Sequence, residues 1–89
     1  MNTPSQISYS DGSVVNSPVV QIWEDHSVEK AGFFRAFWCA SPEADSGSPV
    51  IGYCSPGGSQ RTVKAATWEV WERYPDTAIY RDGRQLKKV

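Results

Sequence analysis

The hydrophobic positions of this chain change their period near residue 62. Before it they come in short runs rich in β-branched and aromatic residues. After it they recur at helical spacing. Pro18-Val19-Val20-Gln21-Ile22-Trp23-Glu24 reads as a strand. Phe33 to Ala40 reads as a second and stronger one. One of its faces carries Phe33, Arg35, Phe37 and Cys39, the other Phe34, Ala36, Trp38 and Ala40, so both are apolar except at Arg35. That pattern suits a central strand covered by a helix on one side and by a loop or a partner on the other. Val50 to Cys54 reads as a third strand, weakened at Gly52.

Thr62 then offers an N-cap whose hydroxyl accepts from the N–H of Lys64 or Ala65. Val63, Ala66, Thr67, Val70, Trp71 and Tyr74 gather on one helical face. Pro75 disfavours helical geometry at Tyr74 and ends the helix there. Trp68 falls roughly 120° from the centre of the apolar face, so the pattern leaves it exposed. Ala78 to Arg81, an Asp82-Gly83 turn and Arg84 to Lys88 form a closing hairpin.

These elements predict an α+β fold: a small, mainly antiparallel sheet of three to five strands with one helix on one face, in the order β-β-β-α-β-β. Residues 18–89 make the single α+β domain. Residues 1–17 form a flexible arm or a short edge hairpin. The hairpin signal is Ile7 to Ser10, an Asp11-Gly12 turn of type I′, and Ser13 to Val15.

Composition adds two points. At 89 residues the chain buries only about 60% of its unfolded surface, and its core draws on four Trp, four Tyr and three Phe, with Leu86 as the single leucine. The net charge is −1, which argues against a tight electrostatic DNA binder, but it is unevenly distributed. Residues 1–56 hold two basic and six acidic side chains, net −4; residues 57–89 hold seven basic and four acidic, net +3. No apolar run approaches the roughly 18 residues that read as a membrane span, and the polar start lacks a leader's apolar run. The expectation is a cytoplasmic protein of a bacterium or of an infected cell.

Chemistry-bearing residues are few. His26 is the only histidine and reads as a solvated turn residue. Cys39 and Cys54 match no zinc spacing and no nucleophile motif. If their strands were joined by a loop centred near Ser46-Gly47, the two would face each other directly as reduced, structural thiols. No catalytic residue, metal ligand or cofactor motif is assigned. Ser55 to Thr62, just ahead of the helix, resembles an anion cradle in outline, though without the Gly-Lys-Ser/Thr ending of a phosphate-binding loop; it reads as a strand-to-helix loop with a capping threonine.

Two binding readings remain. Trp68 with Arg61, Lys64 and Glu72 has the composition of a protein-interface anchor, and Trp23 and Trp38 are further candidates on an outer sheet face. Tyr80, Arg81, Arg84, Lys87 and Lys88 give the last hairpin the mixture of cations and aromatics used on single-stranded nucleic acid. The leading expectation is a non-enzymatic protein-binding module. The segment of about forty residues from the third strand through the helix to Tyr80-Arg81-Asp82-Gly83-Arg84 is similar in size and architecture to small bacterial α+β domains. It is similar likewise to the compact inhibitors of phages and mobile elements, anti-CRISPR proteins among them. The resemblance implies an inhibitor or accessory protein and assigns no residue a role.

Overall fold

A computed structural model describes residues 3–8, 12, 14–26, 32–43, 52–54 and 58–88. Its elements are β1 (Gln6–Ser8), β2 (Val14–Asn16), β3 (Val19–Asp25), β4 (Phe33–Cys39), β5 (Gly52–Tyr53), α1 (Val63–Arg73), β6 (Ile79–Arg81) and β7 (Arg84–Gln85). The chain is an α+β protein. Its five-stranded sheet has the order β5-β4-β3-β6-β7 with α1 packed on one face. The β1-β2 hairpin forms a second, two-stranded sheet.

All pairings are antiparallel except β3 with β6. The helix carries the chain from β5 over β4 and β3 to β6, and a crossover of that kind delivers a parallel strand. β4 is an interior strand, as its two apolar faces predict, between β3 and the two-residue edge strand β5; β3 is the middle strand of the five. β3 is the more deeply buried of the two: Val20, Gln21, Ile22, Trp23 and Asp25 are all inside.

Period 2 divides the strands into two faces. Val20, Ile22, Ala36, Trp38 and Ile79 face α1, where they meet Ala66, Val70 and Trp71. Each fully buried aliphatic here contributes about 1.5–3 kcal/mol. The helix is the element that follows its sequence signals most closely. Thr62 Oγ1 accepts from Ala65 N–H at 3.0 Å; Ala66, Thr67, Val70 and Trp71 are buried; Tyr74 closes the C-terminus, its N–H donating to Val70 O. Tyr74 and Trp38 meet edge to face at 5.3 Å between ring centroids.

Asp82 and Gly83 both have positive φ, 52° and 78°, as a type I′ turn between β6 and β7 requires. The first hairpin also forms: Ser8 pairs with Val14, Ile7 with Val15 and Gln6 with Asn16. The expected Asp11-Gly12 turn falls mostly outside the described residues. Gly12 still supplies a positive φ of 93°; Tyr9, Ser10, Asp11 and Ser13 lie outside the described residues, as do Val50 and Ile51 of the expected third strand.

The cysteine pairing is also corrected. Phe37 is opposite Tyr53 and Trp38 opposite Gly52, so Cys54 lies beside Ala36, with its N–H donating to Ala36 O at 3.0 Å. Cys39 is opposite Val19. The register sits three residues away from the one that would join them, and an odd shift sends the thiols to opposite faces of the sheet. Both are buried and free.

Candidate functional site

The helix presents two flanks beside its buried face. Glu69 and Arg73 lie on the flank nearer Cys54, whose thiol feels both charges. Lys64, Trp68 and Glu72 follow one another at four-residue intervals on the opposite flank and share it with Trp71. Trp71 is 6% exposed, and its Nε1–H donates to Thr77 O at 3.0 Å, which fixes the ring. Trp68 meets it edge to face, ring centroids 5.2 Å apart. Trp68 is therefore half-buried against the core rather than substantially exposed. Helical angle alone missed this because the wide Trp71 ring reaches outward to it. Lys64 and Glu72 are exposed, and neither has an ion pair among the described residues.

Arg61 does not join them. It precedes the N-cap, and its guanidinium sits over the Phe33 ring at 5.4 Å from the centroid, at the end of β4. The segment around it is strapped to the sheet. Gln60 and Phe34 exchange backbone hydrogen bonds of 2.7 Å each, Gln60 Nε2 donates to Glu69, and Ser59 Oγ donates to the Asp25 carboxylate. Asp25 also pairs with Arg35 at 3.7 Å. Of the expected anion cradle, residues 55–57 lie outside the described residues; among the rest, Ser59 faces the buried Asp25 carboxylate and the Thr62 hydroxyl caps the helix N-terminus.

The basic hairpin divides into engaged and open cations. Arg81 Nη1 donates to Ile22 O at 3.1 Å, its guanidinium lies over Phe34 at 5.2 Å, and Asp82 is 3.7 Å away. Lys88 Nζ donates to Pro75 O at 3.2 Å and sits 5.7 Å from the Trp71 ring centroid. Arg84 and Lys87 are exposed and make no such contacts among the described residues. Tyr80 pairs with Gln21, on the face away from the helix, whereas Arg81 takes the helix face. The five residues thus do not form one surface. Lys88 and Trp68 both contact the Trp71 ring, which links the helix flank to Lys88.

Trp38 faces the helix; Trp23 lies on the outer face, 5.3 Å from Phe37 between ring centroids. Gln21 Nε2 donates to Pro42 O at 2.8 Å, which draws residues 41–43 towards that face. Trp23 also lines an open cleft of about 280 Å³ with Glu24, His26, Arg81 and Asp82, at the carboxyl ends of the parallel strands β3 and β6. His26 is exposed there, and neither cysteine lines the cleft. Burial pushes the Cys39 thiol up to about 11 and the Cys54 thiol up to about 12, so both are protonated at neutral pH. Among the described residues no three His, Cys, Asp or Glu side chains are grouped to hold a metal ion, and no helix is long and apolar enough to cross a membrane.

No protein-family model, curated protein or solved structure matches this chain.

Proposed function

We propose that this chain is a non-enzymatic protein-binding module acting in the cytoplasm of a bacterium or an infected cell, as a small inhibitor or accessory protein. It docks through the helix flank of Lys64, Trp68 and Glu72. The observation that carries the reading is Trp68, a partly buried indole held edge-on by Trp71, itself hydrogen-bonded to Thr77. An anchor held in place before binding loses little conformational entropy on docking, and Trp is the residue type most enriched among interface hot spots. Lys64 and Glu72, one turn to either side, set the polarity. The matching partner offers an apolar pocket between an acidic and a basic group.

The nucleic-acid reading through Tyr80, Arg81, Arg84, Lys87 and Lys88 is the weaker one, because Arg81 and Lys88 are committed to intramolecular contacts. The test is affinity capture from the cells that encode the chain, with and without nuclease, using wild type and Trp68→Ala. A protein retained after nuclease by wild type and lost by Trp68→Ala supports the reading. Retention that vanishes with nuclease and ignores Trp68 overturns it.

A further inference from the structure

The N-terminal hairpin is joined to the rest of the fold by a strained hinge. Among the described residues β1 and β2 pair only with each other and add no strand to the main sheet. The link from β2 to β3 is Ser17-Pro18. Ser17 has a φ of +52°, a region that a residue with a Cβ enters at a cost. It also precedes proline, which drives its neighbour towards extended geometry. Ser17 is exposed, and its N–H donates to Ser5 O at 2.8 Å. What holds the arm down is elsewhere. Thr3 N–H and Oγ1 both bond the Asp76 carboxylate, at 3.0 and 2.7 Å; Thr3 Oγ1 also meets Thr77 Oγ1, and Ile7 packs against the core.

We infer that the β1-β2 arm is an exchangeable element, and that two copies of this chain associate by each seating its arm on the Asp76-Thr77 site of the other. Short hinge loops under strain favour exchange of this kind. Opening the hinge lets Ser17 become extended, as Pro18 prefers, while the arm's seat is rebuilt unchanged in the second copy. The exchanged dimer keeps the Thr3-Asp76 bonds and the Ile7 packing, and gives up the hinge strain at both crossings. Association then turns on concentration and on the geometry of residue 17.

Two hinge variants shift the balance in opposite directions. Ser17→Gly tolerates positive φ and is expected to weaken the dimer at least about tenfold. Ser17→Pro cannot adopt positive φ and is expected to raise the dimer fraction. Both are read by light scattering across a concentration series after refolding at high concentration. The seat is then trapped in the dimer fraction of a Thr3→Cys/Asp76→Cys chain. Oxidation links two chains covalently on a non-reducing denaturing gel if the arms are exchanged, and leaves single chains if each arm sits at home. A wild-type chain that stays monomeric throughout the series overturns the inference. So does a dimer whose trapped form runs as single chains, or one indifferent to residue 17.

Discussion

The helix flank and the closing hairpin carry similar side chains and differ in how those side chains are used. Both combine cations with aromatics. On the hairpin, Arg81 is held by Ile22 O and Phe34, and Lys88 by Pro75 O and Trp71. On the flank, Lys64 and Glu72 are exposed, and the ring between them is braced by its neighbour. Residues counted from the sequence say what a surface could offer; packing decides what remains to be offered. A guanidinium already hydrogen-bonded inside the fold must break that contact before it meets a phosphate.

α1 is seated on the sheet by Val70, which has no exposed surface. Val70→Asp is expected to abolish folding, because an unpaired buried charge costs several kcal/mol against a total stability of about 5–15 kcal/mol. A cooperative thermal melt near that of wild type contradicts the seating. Trp71→Ala removes the brace as well as core volume and is expected to cost about 3–5 kcal/mol in denaturant unfolding. Trp71→Phe keeps much of the packing and loses the bond to Thr77, so it should fall well short of that.

The hairpin half is sharpened by a pair of variants. Arg81→Ala is expected to lower stability by about 1 kcal/mol or more through the lost hydrogen bond, and Arg84→Ala to stay within about 0.5 kcal/mol of wild type. Equal effects on the melting temperature contradict the division into engaged and open cations.

The smallest effect expected concerns the arm. Hydrogen bonds from Thr3 hold the Asp76 carboxyl below its ordinary value of 3.8. A carboxylate favoured in the folded state contributes stability that is present above its unfolded value and is lost as the pH falls through the folded one. The urea midpoint gap between wild type and Asp76→Asn should therefore be steady at neutral pH and close only below pH 3.8. A gap that closes near neutrality excludes Asp76 as its source.

The legible parts of this fold were the local ones. The cap at Thr62, the stop at Pro75, the buried face of α1 and the Asp82-Gly83 turn each rest on a few adjacent residues, and all four stand in the structure. The α+β class follows from them. What sequence patterning missed is long-range. Nothing near Val20 or Ile79 announces that they pair in parallel, because that contact is set by the helix crossing between them. The cysteine register was not legible because it was read from a loop midpoint guessed by residue type; the actual pairing lies three residues away and puts Cys39 and Cys54 on opposite faces. Trp68 was legible as unlike the rest of its helix, but its bracing depends on the Trp71 ring. The commitments of Arg81 and Lys88, and the Thr3 latch on Asp76, join residues far apart in the chain and leave no local trace.

The most direct test of the flank against the hairpin is the salt dependence of binding to the captured partner, measured for wild type, Trp68→Ala and Arg84→Ala/Lys87→Ala. Trp68→Ala is expected to weaken binding by about 2 kcal/mol or more, roughly 30-fold, with only a small drop in melting temperature. Docking through the flank also requires a shallow salt slope and a double hairpin variant that binds as wild type does. Wild-type affinity for Trp68→Ala, together with a steep salt slope that the double variant flattens, contradicts it and assigns binding to the hairpin.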